Sequence, residues 1–184
     1  MAFWTDVSAN LTEPKRAYRF IVNIANFPDG AQWYAKSATK PSFNINEAKH
    51  SYLNHSFYYP GRVEWNPVSI TLVDPGQPDA SANLLEFLSM AGYAPPSTQN
   101  DLSTLSKGEM VSALGQITIE QIDSNGNMLE QWTMNGSWIT EISYSDLSYE
   151  SDDLTELSLT IRYDWATCNT TNPSNEGNTE FFQI

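Results

Sequence analysis

Apolar and polar residues alternate with a period of two along most of this chain, in short runs punctuated by Pro, Gly, Asn and Asp. Tyr18, Phe20, Val22 and Ile24 share one face of a predicted first strand, with Arg19 and Asn23 on the other. Phe27-Pro28-Asp29-Gly30 is a turn signal, since Pro presets φ and Gly accepts positive φ. A strand over 32–38 would then complete a first hairpin, ended by Lys40-Pro41. Residues 42–59 alternate less cleanly but are rich in aromatics, and read as one or two strands ending at Pro60-Gly61. In 65–73, Val68, Ile70 and Leu72 oppose Ser69 and Thr71, and Pro67 is confined to the strand's start or to an edge. Strands over 116–122 and 128–138 surround Asn125-Gly126, a pair that signals a type I′ hairpin. Residues 139–144 continue as strand. After a short acidic loop, Leu157, Leu159, Ile161 and Tyr163 oppose Ser158, Thr160 and Arg162 in the closing run.

The period changes to that of a helix at one place. Leu84, Phe87, Leu88 and Ala91 form an i, i+3, i+4, i+7 stripe, Asp79 or Ser81 can cap its start, and Gly92 suits its end. Residues 94–115 are rich in Pro, Ser and Asn and read as a long loop with one short helix at most. The expected fold is therefore mainly β, an antiparallel barrel or sandwich of about seven strands with one α-helix. One domain would cover 1–166. A polar extension would cover 167–184, where composition shifts to Thr, Asn, Ser and Gly, with Phe181-Phe182-Gln183-Ile184 as a candidate docking hook.

Charge sharpens this picture. Residues 1–62 carry a net +3 and residues 63–184 a net −16, giving −13 overall. The acids are dispersed along patterned strands and do not form a block. A solvated acidic face is one reading. The other is that a basic surface of one copy meets an acidic surface of the next, an arrangement that speeds encounter and fixes register. Cys168 is the lone cysteine, so an intrachain disulfide is excluded. The first eighteen residues lack a basic stretch followed by an apolar one, and no apolar run is long enough to span a bilayer, so a soluble, cytoplasmically made protein is expected.

Catalytic patterns are missing from the sequence. Walker, Gly-x-Ser-x-Gly and dinucleotide fingerprints do not occur. His50 and His55 have no metal-ligand spacing to Cys168 and read as structural histidines. With twenty-two acids any glycosidase pair could be drawn, so none carries weight. Asp123 to Asn127 lacks the distal Glu of a calcium loop. Sequons at Asn10, Asn54, Asn135 and Asn169 read as coincidence in an Asn/Ser/Thr-rich chain. No cofactor, metal or enzymatic activity is expected. Trp33, Trp65, Trp132, Trp138 and Trp165 fall in or beside strands, where packing is the default; stacking on sugars, as in a carbohydrate-binding β-sandwich module, is the alternative.

The order of motifs resembles a known family. Pro14-Lys15-Arg16-Ala17-Tyr18 leads the first strand, followed by Ala35-Lys36-Ser37-Ala38-Thr39-Lys40-Pro41, then Gly61-Arg62 entering 65–74, then the helix near Asp79. Gly136-Ser137-Trp138-Ile139-Thr140 and the closing 157–165 run complete the set. Over about 11–166 this is similar to the major tail tube protein of contractile-tailed (myovirus) bacteriophages. The 94–115 stretch and the segment beyond 166 depart from it. The resemblance implies hexameric rings stacked head to tail into a hollow tube inside a contractile sheath, with sheath, baseplate and tape-measure proteins as partners. DNA would pass through the lumen without specific binding. The protein would be made in the host bacterial cytoplasm and reside in the virion tail. Inner tubes of bacterial contractile injection machines (type VI secretion, phage-tail-like bacteriocins) share this pattern and stay open as the alternative.

The resemblance also implies that the segment from about 40 to 60 contacts neighbouring subunits, with Lys40, Lys49, Tyr52, Phe57, Tyr58 and Tyr59 as the interface set. Lumen-facing acids on polar strand faces would be Glu120, Glu130, Glu141 and Glu156, keeping a polyanion from adsorbing to the wall. If opposite charges guide copies together, assembly slows as ionic strength rises. Light scattering over a salt series checks this, and salt-indifferent kinetics would remove the complementary-face reading.

Overall fold

The computed structural model describes residues 14–27, 34–77, 79–97, 104–172 and 177–182. In chain order the described elements are β1 (Phe20–Ile24), β2 (Ala35–Ala38), β3 (Phe43–Tyr52), β4 (His55–Trp65), β5 (Val68–Val73), α1 (Ala80–Met90) and α2 (Lys107–Leu114). They continue as β6 (Ile117–Ile122), β7 (Met128–Asn135), β8 (Trp138–Tyr144), β9 (Glu156–Arg162), β10 (Trp165–Asn172) and β11 (Gly177–Phe181). Three antiparallel sheets result: β1-β6-β7-β10-β11, β2-β5-β9-β8, and the separate hairpin β3-β4. The mainly β, antiparallel architecture read from the alternation is present, as a sandwich of two open sheets.

Alternation places the core. Val68, Ile70 and Leu72 of β5 and Leu157, Leu159 and Ile161 of β9 point inward from the four-stranded sheet, and all are buried. Val22, Ile24, Ile117, Ile119, Met134 and Ala166 meet them from the five-stranded sheet. The outer faces of both sheets are rich in Ser and Thr.

Several expectations need correction. The strand at 35–38 does not pair with β1; it pairs with β5, while β1 pairs with β6. Alternation fixes which face of a strand is buried but not which strand lies beside it, and the turn residues 28–30 lie outside the described residues. The aromatic stretch does not stop at Pro60-Gly61, because β4 runs through both to Trp65. Asn125-Gly126 is not a type I′ turn, since of the two only Gly126 takes positive φ (83°). Instead the Asp123 carboxylate accepts from the Asn125 and Asn127 amides at 2.7 and 2.8 Å, which fixes the turn locally. The boundary expected at 166 falls inside β10, which pairs with β7 from Trp165 to Thr170. The polar composition there belongs to a strand with one face in solvent.

Helix α1 follows its sequence signals: Asp79 caps it by accepting from the Ala82 amide at 2.9 Å, and Gly92 ends it at φ 91°. Ser81 Oγ donates to Asp74 at 2.6 Å, tying the helix start to the end of β5. A second helix, α2, lies within the stretch read as loop. Ser106 and Glu109 carry a capping-box spacing, and the Ser106 side chain accepts from the Glu109 amide. Asn26 Nδ2 donates to the Ser112 and Ala113 carbonyls at 2.9 Å, satisfying the other end of α2 from the end of β1.

The chain crosses between the sheets at two adjacent corners. Gly136-Ser137 carries β7 of one sheet into β8 of the other, and Tyr163-Asp164 returns β9 to β10. The Asp164 amide donates to the Asn135 carbonyl at 2.9 Å, and Lys107 Nζ reaches both Asp164 carboxylate oxygens at 2.6 and 2.7 Å. Gly136 sits at φ 64°, and a Cβ there would overlap the Asp164 carboxylate. Gly136→Ala is therefore expected to destabilise the fold by about 1–3 kcal/mol, because the residue is strained in backbone and in space. A chemical denaturation midpoint lowered at unchanged slope is the readout.

Candidate functional site

The hairpin β3-β4 has ten and eleven residues per strand and almost every residue is exposed. At about 3.3 Å per residue, ten residues extend roughly 33 Å. Cross-strand partners share a face. One face carries Tyr52 opposite His55, His50 opposite Phe57, and Ala48 opposite Tyr59. The other carries Lys49 opposite Tyr58, Ile45 opposite Val63, and Phe43 opposite Trp65. Both faces thus present large apolar groups, and Phe43, Ile45, Tyr52, Phe57, Tyr58, Tyr59 and Val63 are all exposed.

At its root the ribbon is anchored: Trp65 packs on Tyr163 and Phe43, with ring centroids at 5.8 and 5.2 Å. A bulge interrupts the register where Gly61 and Arg62 face Asn46, and a Cβ at Gly61 would lie 2.8 Å from the Asn46 carbonyl. Pro60 is tolerated because the ribbon has no third strand to receive its missing N–H. At the tip, Leu53 is held at φ 52° and is 88% exposed. A branched apolar side chain in the left-handed region, pointing into water, is costly unless another surface covers it.

Of the six interface residues expected from the sequence, five lie on this hairpin. Lys49 stacks over the Tyr58 ring at 6.0 Å, and Tyr52, Phe57, Tyr58 and Tyr59 are exposed beside it. Lys40 lies elsewhere, in the β2–β3 connection. Its Nζ donates to Glu130 at 2.8 Å and to Gln121 at 2.7 Å within the chain. Ile45, Leu53 and Val63 escaped the sequence reading because aromatic density, not strand pairing, was its signal; Phe43 belongs to that aromatic stretch and lies at the ribbon's root, against Trp65.

The four acids are dispersed over separate surfaces. Glu120 accepts from Gln131 at 2.6 Å and lies on the outer face of the five-stranded sheet. Glu130, one pairing position along β7, points the opposite way and is only 8% exposed. It is bound by Lys15, Lys40 and the Trp132 indole N–H. Glu141 and Glu156 lie on the outer face of the four-stranded sheet, where Glu156 pairs with Lys36. One channel wall cannot present all four.

Burial raises the Glu130 carboxyl, and the hydrogen bonds from Lys15, Lys40 and Trp132 more than offset this, bringing it down to about 2. Burial, followed by the Glu130 charge, pushes the Cys168 thiol up, which suits packing over nucleophilic chemistry. Among the described residues no cluster of three or more His, Cys, Asp or Glu could hold a metal ion. No described helix is long and apolar enough to cross a membrane.

Among the described residues, two strand edges of the four-stranded sheet are also open. In the four-stranded sheet β2 and β8 are the outermost strands, each paired on one side only. The successive antiparallel pairings make β2 antiparallel to β8.

No family model and no curated protein matches the sequence. Solved structures share its fold over nearly the full length. A chain from the cap of the anti-feeding prophage, a tube-terminating cap, is similar with a TM-score of 0.65 and 18% identity, covering 93% of this chain and 100% of that one. A chain from the sheath/tube terminator of the extracellular contractile injection system PVC, in its extended state, gives 0.60 and 17%, covering 86% and 99%. A chain from the extended PVC sheath-tube complex gives 0.58 and 18%, covering 88% and 95%. The fold is thus one shared with chains of these tube and terminator assemblies.

The Glu130 cluster sets a pH dependence. Its carboxyl is lowered from 4.5 to about 2 on folding, so its stabilisation is complete above pH 4.5 and is lost as pH falls toward 2. The shift corresponds to roughly 3 kcal/mol. Glu130→Gln is expected to flatten the acid limb of a stability-versus-pH curve and to lower stability at pH 7 by a similar amount.

Proposed function

We propose that this protein is the inner-tube subunit of a contractile tail, assembling as hexameric rings stacked head to tail inside a sheath. The projecting β3-β4 hairpin is the observation that carries this reading. An isolated two-stranded ribbon is marginal in water, and this one exposes apolar groups on both faces and at its tip. Docked against the next ring, it buries those groups and gains the support it lacks alone. The fold shared with chains of tube and sheath-tube assemblies supports the same reading.

Ring closure follows from the open edges. Because β2 runs antiparallel to β8, rotation about one axis sets the β8 edge of one copy beside the β2 edge of the next in antiparallel register. Repetition makes a continuous wall and leaves no unpaired edge in the four-stranded sheet, where an open edge otherwise invites uncontrolled pairing. The five-stranded sheets back one face of that wall. Its free face carries Ser69, Thr71, Ser158 and Thr160, with Glu141, Arg162 and the Glu156–Lys36 pair, and lines the channel. Such a lining is hydroxyl-rich and nearly balanced in charge, so it offers no fixed cation array to hold a polyanion. The cargo is viral DNA in a virion tail. The similarity to chains of extracellular injection systems favours protein cargo as the second reading, and the similarity to terminators favours a place at the tube's end.

Electron microscopy of the purified protein tests the assembly directly, by rings and tubes of uniform width. Phe57→Ala and Tyr58→Ala are each expected to leave a folded subunit and to abolish tubes. Truncating a buried interfacial aromatic costs about 2 kcal/mol or more, multiplied by every copy in a ring. Normal tubes from both variants would refute the hairpin's role. Co-purification with a capsid and DNA, against export of a protein, separates the two cargoes.

A further inference from the structure

The β3-β4 ribbon forms a sheet of its own, and among the described residues no ladder joins it to either sheet of the sandwich. Its two chain connections close on each other. The Asn66 amide donates to the Ser42 carbonyl at 2.8 Å, and Asn66 Nδ2 donates to Ser42 Oγ at 3.1 Å. A joint of that kind is a pivot. The direction in which roughly 33 Å of ribbon points is therefore set by what grips its root.

One grip comes from the crossing between the sheets, where Tyr163 packs on Trp65. A second comes from β11, the outermost strand of the five-stranded sheet. Phe182, the residue after β11, meets Phe43 and Trp65 edge-on, with ring centroids at 6.3 and 5.9 Å. Phe43 and Trp65 are cross-strand partners, so this one ring spans both strands of the root.

Phe182 holds that position at a backbone cost. It sits at φ 64°, and among the described residues the one other non-glycine residue with positive φ is Leu53, at the ribbon's tip. A bulky side chain in the left-handed region persists where its surroundings hold it there. The strand before it, Gly177-Asn178-Thr179-Glu180-Phe181, is mostly polar and pairs with β10 alone. Gly and Asn are poor strand formers. Neither strand propensity nor turn preference calls for a left-handed phenylalanine here, whereas the contact with the ribbon's root does.

We infer that β11 and Phe182 form a strap that fixes the angle of the β3-β4 ribbon, with Phe182 as the positioning residue. Tyr163 alone leaves a pivot; a second attachment, from the margin of the other sheet, removes it. This inference rests on the reading of the ribbon as the contact between rings. A ribbon already held at its docking angle binds without the entropic cost of being ordered, which lowers the concentration needed for assembly.

Distances between spin labels test it in the dilute full-length protein. Asn54→Cys places one label at the ribbon's tip and Glu141→Cys the other on β8, while the native Cys168 is buried. The unmodified strap is expected to give one narrow distance distribution. Phe182→Ala is expected to widen it about twofold or more at an unchanged denaturation midpoint. Phe182→Tyr keeps the ring and should restore the narrow distribution. Where the unmodified protein forms rings, Phe182→Ala should also raise the concentration for half-assembly about tenfold. A Phe182→Ala distribution as narrow as that of the unmodified strap, or rings from that variant at the unmodified concentration, would overturn the strap and leave the ring reading intact. An unmodified protein that forms no rings would overturn the ring reading, and the distance distributions would still decide whether β11 fixes the ribbon.

Discussion

Two crossings of the chain, side by side, govern this structure. Gly136-Ser137 and Tyr163-Asp164 pass the backbone between the two sheets, joined by the Asp164 amide to the Asn135 carbonyl and clamped by Lys107 from the start of α2. Because the sheets exchange strands there, they share one core. Neither sheet can shift against the other without breaking strands. The same exchange leaves β2 and β8 at opposite margins of the four-stranded sheet, running in opposite directions. The crossings therefore build a subunit with two oppositely directed margins.

That incompleteness ties structure to function. Within one copy, the apolar faces of both sheets are satisfied by burial, while strand edges and a two-stranded ribbon have no partners among the described residues. The two margins lie on opposite sides of the four-stranded sheet, β2 at one and β8 at the other, and the ribbon forms a separate sheet. In the proposed assembly the lateral margins close a ring and the ribbon joins rings. Polarity inside the subunit is handled separately. Glu130, held by Lys15, Lys40 and Trp132, ties the 14–19 segment and the β2–β3 connection to β7. A buried carboxylate with its partners in place is costly to disrupt, so the basic residues nearest the start of the described chain serve first as internal anchors.

Much of the fold was legible in the sequence. The inward positions of β5 and β9 followed from strict alternation, and α1 followed from Asp79, its apolar stripe and Gly92. Helix α2 was legible only as one short helix without bounds in a long loop, because its apolar residues, Met110, Ala113 and Leu114, form no long stripe and Gly108 lowers helix propensity; only the Ser106–Glu109 capping pair marks its start. The site was half legible. Tyr52, Phe57, Tyr58 and Tyr59 stood out as aromatics, but Leu53 gained meaning only from its exposure at the ribbon's tip. Lys40 looked like a surface anchor and proved to be a partner of Glu130, ninety residues away.

By itself the sequence determined the period of each segment and hence which side chains face inward, the helix start at Asp79, and the absence of a disulfide framework. These are local properties, set by backbone geometry and by the chemistry of neighbouring residues. Only the tertiary structure decided that β1 lies beside β6 and β2 beside β5, that β3 and β4 stand apart as a ribbon, and that Glu120 and Glu130 point to opposite sides. Pairing between distant strands depends on how all the apolar faces can be buried at once, a condition on the whole chain that no single segment carries.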